Sequence, residues 1–290
     1  MRADTIPTGL LCLDVASYIG GYPRGALVEV YGDPESGKTT LALMACREAQ
    51  RAGGIAAYLD VDGTLDTGYA AALGVDVARL LVSTPQTGEI ALGIATRLVA
   101  AGLDVLVIDA VAAVIPQIEI EGRIGDAEPG AQRRLVEQGV KALHDAAAKT
   151  GTLVLCVNQI RHVRTPQGFI EATAGGSLLP HRATMRVEVR RASTGPVALG
   201  IPKNNLARVA SAGAVHMTWG HGFDAAADLF AAARWTAVIS EHRGAFWFEG
   251  RRLGGETEAL AALAGLRGAA VREAVLAVAP WRRAAVFAPL

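Results

Sequence analysis

The sequence is poor in cysteine, in aromatic residues and in net charge. Its three cysteines, Cys12, Cys46 and Cys156, lie far apart and lack the spacing of metal ligands. We therefore expect buried, reduced thiols, and neither a disulfide framework nor a zinc site. The 28 Lys and Arg residues balance 28 Asp and Glu residues. This balance excludes a basic field over the whole surface, so a nucleic-acid-binding surface would have to be local.

Long uninterrupted apolar segments are also missing. The longest apolar stretch, Ala91 to Pro116, is interrupted by Arg97, Asp104 and Asp109. These charges exclude a membrane-spanning helix there. The N-terminal residues, MRADTIPTG, lack the basic and then apolar pattern of a secretion signal. We expect a cytoplasmic protein without a membrane partner.

Apolar runs of strand length alternate with amphipathic helical segments. Hydrophobic residues make up 51% of the chain while aromatics make up 5%, a composition typical of α/β proteins with buried parallel strands. The predicted strands are Ala26–Tyr31, Ile55–Val61, Leu103–Ile108, Leu153–Val157 and Met185–Arg191, and the predicted long helices are Lys38–Ala52 and Gly130–Lys149. This order predicts an α/β core with a mostly parallel sheet flanked by helices.

The sequence pattern changes at about residue 224. Short Ala-rich helical segments follow, with an aromatic hairpin-like stretch at Ala245–Arg252. We predict a core domain at residues 1–223 and a small C-terminal α/β domain at residues 224–290.

A phosphate-binding motif joins the first predicted strand to the first long helix. The residues 32–39, GDPESGKT, fit the pattern G-x-x-x-x-G-K-S/T. Such a loop wraps phosphates with backbone N–H groups at a helix N-terminus, while its Lys reaches the β- and γ-phosphates and its Thr ligates magnesium. A chance glycine-rich turn would lack the flanking strand and helix. The residues expected to hold the nucleotide are Gly32, Glu35, Ser36, Gly37, Lys38, Thr39 and Thr40.

Two more polar residues stand at predicted strand ends. Asp109 ends the apolar run before it, where a carboxylate can hold magnesium through water; the alternative is a simple helix cap. Gln159 lies just past the strand predicted to end at Val157. Its amide can hydrogen-bond a γ-phosphate and respond to its loss, or it can be an ordinary polar group at a strand end.

Further motifs stand at intervals along the chain. They are Thr8-Gly9-Leu10, Val28-Glu29-Val30-Tyr31-Gly32, Leu65-Asp66, Tyr69-Ala70, Leu73-Gly74-Val75-Asp76, Thr87-Gly88-Glu89, Val111-Ala112-Ala113, Glu119-Ile120-Glu121-Gly122-Arg123-Ile124-Gly125-Asp126, Asn158-Gln159-Ile160-Arg161, Gly175-Gly176 and Arg190-Arg191. Through these stretches the chain resembles the bacterial RecA recombinases over nearly its whole length. The run at 119–126 and the run at 158–161 distinguish it from other P-loop ATPases.

The resemblance implies the cofactors ATP and Mg²⁺ and the partner single-stranded DNA. It places Asp66 and Tyr69 at the adenine and ribose, and Lys203 at the ATP of an adjacent subunit. It assigns Glu121–Pro129 to a first DNA-binding loop and Ile160–Gly175 to a second, which orders when Gln159 senses ATP. The DNA-binding residues so implied are Arg123, Arg161, Arg164, Phe169, Gly175 and Gly176.

A local excess of arginine supports DNA binding independently of the resemblance. Six arginines outnumber two glutamates between residues 161 and 191: Arg161, Arg164, Arg182, Arg186, Arg190 and Arg191 against Glu171 and Glu188. Such charges contact phosphates, although a solvated basic face is the alternative. The arginines of the C-terminal segment could capture duplex DNA, and an ordinary solvated surface is again the alternative.

The sequence departs from the RecA pattern in the residues for hydrolysis and assembly. Asp62 stands where the family has the glutamate that activates water, and Asn205 stands at the second of two lysines that reach the adjacent subunit. Losing one methylene retracts the carboxylate, so we expect catalysis by Lys38, Asp62, Asp109 and Gln159 to be slow. We also do not find the family's N-terminal docking helix and strand or its acidic tail.

We predict an ATP-dependent, single-stranded-DNA-binding recombinase-like protein of homologous recombination and DNA repair, with slow DNA-dependent ATPase activity. The alternative is a non-catalytic, ATP-gated RecA paralogue that acts as an adaptor of a full-length recombinase. A partner of the same family, by self-association or co-assembly, is expected in both cases. A P-loop small-molecule kinase is disfavoured because no arginine-rich lid segment is found.

Overall fold

The structure is a computed structural model that describes residues 5–122, 128, 130–165, 168–191, 195–265 and 267–283. The strands are β1 (Thr5–Ile6), β2 (Tyr22–Pro23), β3 (Leu27–Gly32), β4 (Ala56–Asp60), β5 (Leu81–Ser83), β6 (Val105–Asp109), β7 (Leu153–Thr165), β8 (Gly168–Thr173), β9 (Met185–Arg191), β10 (Val197–Asn204), β11 (Ala210–Val215), β12 (Met217–Thr218), β13 (Gly222–Phe223), β14 (Ser240–His242), β15 (Ala245–Phe248) and β16 (Arg251–Gly254). The helices are α1 (Leu11–Ala16), α2 (Lys38–Arg51), α3 (Thr67–Ala72), α4 (Gly88–Ala100), α5 (Gln117–Glu121), α6 (Ala131–Thr150), α7 (Leu178–Arg182), α8 (Ala225–Trp235), α9 (Glu256–Ala264), α10 (Arg267–Val278) and α11 (Pro280–Arg283), with a 3₁₀ turn at Val111–Ala113.

The central sheet has the strand order β11-β10-β9-β3-β7-β6-β4-β5. Strands β9, β3, β7, β6, β4 and β5 run parallel, and β10 and β11 add an antiparallel edge. The predicted α/β class with a mostly parallel sheet is therefore confirmed. No helix among the described residues is long and apolar enough to cross a membrane.

Successive residues of the central strands point to opposite faces of the sheet, and their side chains belong to two hydrophobic cores, one on each face. Val28 and Val30 pack with helices α1 and α2, whereas Leu27 packs with the side chains of α4 and α6. Strands covered on both faces consist of nearly continuous apolar residues, as these do. The polar residues Asp60 and Asp109 end β4 and β6 at the carboxyl edge of the sheet.

Most predicted strands and helices agree with the structure to within one or two residues at each end. The exception is the strand predicted to end at Val157. Strand β7 instead continues to Thr165 and pairs antiparallel with β8, with Arg164 opposite Phe169. The prediction of a loop over 160–175 was wrong for Ile160–Thr165 and Gly168–Thr173, which are strands, whereas Ala174 and Gly175 form a turn. The β-branched and aromatic residues Val163, Phe169 and Ile170 favour strand conformation on β7 and β8.

The C-terminal residues continue the core on one face of the sheet. Helix α8 packs against α1 and β11, and Phe230 and Val271 belong to the same buried cluster as Leu13. Asp228 of α8 accepts hydrogen bonds from the N–H groups of Leu11 and Cys12, each at 2.8 Å. A separate domain after residue 223 stays a prediction. The three cysteines are free and buried, as expected.

Candidate nucleotide and DNA site

The loop between β3 and α2 has the backbone of a phosphate cradle. A Cβ atom on Gly32 would lie 1.8 Å from the carbonyl oxygen of Val189, so only glycine fits there. Gly37, just before α2, has φ +102°, a left-handed conformation that favours glycine. Glu35 is exposed and adopts φ +57°. The loop is thus shaped by steric demands at both of its glycines.

Two side chains of the loop are buried and carry polar groups that could hydrogen-bond a phosphate. The Lys38 ammonium donates to the carbonyl oxygen of Asp33 at 2.5 Å. Burial lowers the pKa of Lys38, and the charges of Asp109 and Asp33 oppose that shift. The Ser36 hydroxyl is buried and has no hydrogen-bond partner among the described residues. A buried hydroxyl without a partner is costly, so an anion here would be stabilised.

A carboxylate and a hydroxyl meet at the edge of the sheet beside this loop. Asp109 Oδ2 accepts a hydrogen bond from Thr39 Oγ1 at 2.7 Å. Within the described residues, no three His, Cys, Asp or Glu side chains could hold a metal ion together. Two oxygen ligands suit Mg²⁺, which takes its remaining ligands from phosphates and water. The predicted metal pair is therefore brought together with suitable donors.

Tyr58 is a site residue that sequence reasoning missed. Its hydroxyl donates to Asp109 Oδ2 at 2.6 Å from the neighbouring strand. Burial raises the pKa of Asp109, while the hydrogen bonds from Tyr58 and Thr39 lower it. A buried tyrosine normally requires a hydrogen-bond partner, and this was the available signal in the strand Ala56–Asp60.

Two aspartates lie at the end of β4, and they have different roles: Asp60 is its last residue, and Asp62 is two residues further on. Asp60 is buried and accepts hydrogen bonds from the N–H groups of Thr64 at 2.9 Å and Leu65 at 3.1 Å, which shapes the turn. Asp62 is exposed and accepts the Thr64 hydroxyl at 2.9 Å. Burial is the main cause that raises the pKa of Asp109, and the negative charge of Asp62 raises it further. Asp62 therefore lies within electrostatic range of the predicted magnesium pair.

Gln159 was predicted to lie just past the end of its strand, but it lies inside β7 because that strand continues to Thr165. It is in parallel register with Gly32, the first residue of the phosphate-binding loop. Gln159 is half-buried, and its backbone N–H donates to Asn158 Oδ1 at 2.9 Å. The amide therefore stands at the junction of the loop and the hairpin.

Asp66 and Tyr69 lie beside the start of α2. Asp66 caps α3 by accepting the N–H of Tyr69 at 2.9 Å. The Tyr69 hydroxyl and Thr40 Oγ1 are 2.8 Å apart. Tyr69 thus contacts the first turn of α2, which follows the phosphate-binding loop, and Asp66 contacts Tyr69.

The hairpin formed by β12 and β13 also lies against the phosphate-binding loop. A Cβ atom on Gly37 would contact Met217 and Phe223, so the hairpin packs on the loop. Trp219, in its turn, is 61% exposed, and the Arg191 guanidinium lies 5.8 Å from its ring. Sequence reasoning did not single out Trp219, because its exposure is visible only in the structure.

The hairpin of β7 and β8 does not bring all its predicted DNA-binding residues together. Antiparallel partners share a face and neighbours alternate. Arg164 and Phe169 are direct partners and so share one face, whereas Arg161, three residues before Arg164, lies on the other. All three side chains are exposed.

The remaining predicted residues lie at the base of the hairpin and beyond. Gly175 and Gly176 have φ of +83° and +91°, and added Cβ atoms would contact Val136 and Arg133 of α6. Arg123 lies outside the described residues. The Lys203 ammonium donates to the carbonyl oxygens of Pro180 at 2.9 Å and of His181 at 2.6 Å.

Two arginines of the predicted basic cluster are neutralised by carboxylates. Arg190 contacts Glu171 of the hairpin, Glu188 of its own strand and Asp33 of the phosphate-binding loop. Arg186 pairs with the buried Glu29 at 2.6 Å. The local positive excess expected from the sequence is therefore smaller in the structure.

Comparisons with known proteins agree with this geometry. A family model described as the RecA N-terminal domain matches residues 1–203. The chain belongs to the RecA family. It is 40% identical to "Protein RecA" of Lactobacillus delbrueckii subsp. bulgaricus over 264 residues, covering 87% of this chain and 80% of that protein. It is 50% identical to "Protein RecA" of Levilactobacillus brevis over 194 residues, covering 66% and 52%, and 43% identical to that of Amycolatopsis mediterranei over 260 residues, covering 86% and 75%.

Family membership accounts for the site residues that lie far apart in the chain. In this RecA-family chain, the phosphate-binding loop follows β3, Asp109 ends β6 and Gln159 lies within β7, and these three strands are neighbours in the sheet. The carboxyl ends of parallel strands meet at one edge. Residues separated by more than one hundred positions thereby form one site.

Proposed function

We propose that the chain binds ATP with Mg²⁺ at the β3–α2 loop and uses the nucleotide to control its binding to single-stranded DNA, in homologous recombination and DNA repair in the cytoplasm. The observation that carries this proposal is the register of Gln159 with Gly32. It puts one amide next to the phosphate-binding loop and at the root of an exposed, arginine-bearing hairpin.

The nucleotide is held by residues with separate tasks. Lys38 exchanges the Asp33 carbonyl for the β- and γ-phosphates, and the backbone from Gly32 to Thr40 surrounds the phosphates. Mg²⁺, when bound, neutralises charge on the phosphate oxygens, and Thr39 and Asp109 hold it. Asp66 and Tyr69 contact the ribose and base.

Gln159 transmits the state of the γ-phosphate to the hairpin. A hydrogen bond from its amide to the phosphate exists only with a triphosphate, so it can favour one arrangement of β7 and β8 over another. In the favoured arrangement, Arg161, Arg164 and Phe169 grip the DNA with Gly175 and Gly176 at the base; Arg123 contributes from the first loop. Sequence-independent phosphate contacts dominate such binding.

Hydrolysis is slow because Asp62 carries the catalytic carboxylate. An aspartate at this position reaches less far toward the attacking water than a glutamate, and a displacement of about 1 Å can cost about 100-fold in rate. Lys203 acts across a subunit interface, where its charge stabilises the phosphates of the neighbouring protomer.

Steady-state ATP hydrolysis with and without single-stranded DNA tests this proposal. We expect a low rate that DNA stimulates, and no activity in Lys38→Ala, which should still fold because the side-chain hydrogen bond of Lys38 is to a carbonyl of its own loop. A rate that is the same with and without DNA, or that survives in Lys38→Ala, would contradict the proposal.

A second candidate function is an ATP-gated adaptor of a full-length recombinase. The exposed Asp62, whose carboxylate is bound by the Thr64 hydroxyl, and Asn205 in place of a cation favour it. Negative-stain imaging with ATP and single-stranded DNA separates the two. Filaments of the pure protein support the recombinase, whereas incorporation only into another recombinase's filament supports the adaptor.

A further inference from the structure

A fully buried glutamate stands in the strand that leads into the phosphate-binding loop. Glu29 lies three residues before Gly32 and has no exposed surface. Its Oε1 accepts a hydrogen bond from Asn158 Nδ2 at 2.9 Å, and its Oε2 accepts one from Arg186 Nε at 2.6 Å. One carboxylate therefore bridges three adjacent strands, β7, β3 and β9.

Asn158 is equally buried, and every polar atom of its amide has a partner. Besides Glu29, Nδ2 donates to the carbonyl oxygen of Ala174 at 2.9 Å, and Oδ1 accepts the N–H of Gln159 at 2.9 Å. Ala174 directly precedes Gly175 at the base of the hairpin. A single amide thus joins the phosphate-binding strand, the residue beside the γ-phosphate position and the base of the hairpin.

Arg186 extends this network along β9 to Tyr31 and toward strand β10. Its guanidinium lies 4.1 Å from the ring centroid of Tyr31, the residue before Gly32. It is also in register with Lys203 on β10. A buried ion pair requires good geometry and full hydrogen bonding to be tolerated, so the network favours discrete arrangements over gradual distortion.

We propose that Asn158, held by Glu29, is the positioning residue that couples the nucleotide state at Gln159 to the hairpin. Asn158 touches neither nucleotide nor DNA in this scheme. A displacement of the Gln159 backbone pulls on Asn158 Oδ1, and the amide can follow only by changing its bond to the Ala174 carbonyl. This inference rests on the proposed function, since it concerns how the gating signal is carried.

The test measures a coupling ratio, the single-stranded-DNA affinity with a non-hydrolysable ATP analogue divided by that with ADP. Asn158→Asp keeps the size of the side chain but removes both donors of Nδ2. We expect the ratio to fall about tenfold or more, to near one, given that coupling between sites typically spans 5–150-fold. Affinity for the ATP analogue stays within about twofold, because the phosphate contacts are unchanged.

A double variant separates coupling from stability. In Glu29→Gln with Asn158→Asp, the new amide can donate to the new carboxylate and accept from Arg186, and Oδ1 can still accept the N–H of Gln159. The Ala174 carbonyl alone lacks its donor. We expect thermal stability close to that of the wild type and a coupling ratio that stays near one. This variant also decides the question if Asn158→Asp alone does not fold.

The matched control is Asn204→Asp. Asn204 is another buried asparagine, whose Nδ2 donates to the carbonyl oxygen of Ser17 at 2.9 Å. It should lose stability and keep the wild-type ratio. A wild-type ratio in the double variant would overturn the inference. A ratio of one in the wild-type protein would instead overturn the proposed function itself, so the two failures are distinct.

Discussion

Gln159 and Gly32 lie directly beside each other on the parallel strands β7 and β3. The same sheet edge carries Asp60 and Asp109, which pair in register on β4 and β6. The chemistry expected of the chain is therefore concentrated where neighbouring strands end. Changes at this edge should affect nucleotide handling without disturbing the apolar core.

Replacing Asp62 by glutamate should accelerate hydrolysis. The added methylene extends the carboxylate toward the attacking water, and a gain of about tenfold to 100-fold in kcat is expected, with little change in nucleotide affinity. Steady-state kinetics with saturating DNA measure it. Asp62→Asn serves as the inactive control, and an Asp62→Glu protein no faster than the wild type would show that Asp62 does not limit the rate.

Removing the Tyr58 hydroxyl should weaken both the fold and the magnesium pair. Tyr58→Phe loses the 2.6 Å bond to Asp109, at a cost of about 1–2 kcal/mol. It also raises the pKa of Asp109 further, because that bond lowers it. More Mg²⁺ or a higher pH should then be needed for nucleotide binding.

Tyr22→Phe is the matched control for Tyr58→Phe. The Tyr22 hydroxyl is buried and has no partner among the described residues, so its removal should leave the free energy of unfolding unchanged or raise it. Chemical denaturation of both variants gives the comparison. Equal losses in the two would refute a specific role for the Tyr58 bond.

Stability should depend on pH through Asp14. Burial raises the pKa of Asp14 from 3.8 to about 7, against the hydrogen bonds from Thr8, and the charges of Asp228 and Glu48 add to the increase. The folded state then keeps a proton that the unfolded chain loses. The free energy of unfolding should be highest near pH 4 and should fall as the pH rises toward about 7.

Asp14→Asn should flatten this dependence. The variant has no proton to lose at residue 14, although Asp228, whose pKa burial also raises, keeps part of the slope. Urea unfolding between pH 4 and 8 measures the slope, with the exposed Asp145→Asn as the control. A wild-type slope in Asp14→Asn would contradict the assignment.

The charged and the aromatic side chains of the hairpin should respond differently in DNA binding. Arg164→Ala should lower the slope of log affinity against log salt by about one unit, because one phosphate contact is lost. Phe169→Ala should weaken binding by about tenfold without changing the salt slope, because stacking of its ring on a base involves no charged group. Arg97→Ala, an exposed arginine of α4, should do neither. Equal salt slopes for Arg164→Ala and Arg97→Ala would exclude Arg164 from the interface.

The sequence predicted those features that depend on local pattern. Apolar strand-length runs and the loop from Gly32 to Thr39 fixed the positions of Lys38 and Asp109, because strand and helix periodicity are read over a few residues. The hairpin was missed because the family resemblance assigned residues 160–175 to a DNA-binding loop.

Contacts between distant residues could not be predicted in the same way. Tyr58 and Asp109 meet because β4 and β6 are neighbours in the sheet, and Glu29 meets Asn158 because β3 and β7 are neighbours. The order of strands in the sheet decides both contacts, and no local spacing specifies it. Met217 and Phe223 pack on Gly37 of the phosphate-binding loop, and this contact is equally non-local.

The most direct test is the affinity of the wild-type protein for a labelled single-stranded oligonucleotide, measured at one salt concentration without nucleotide, with ADP and with a non-hydrolysable ATP analogue. If the triphosphate beside Gln159 controls the hairpin, the analogue should tighten binding by about tenfold or more over ADP. A ligand with equal affinity for both states shifts nothing, so equal DNA affinities in all three conditions would contradict the gating mechanism.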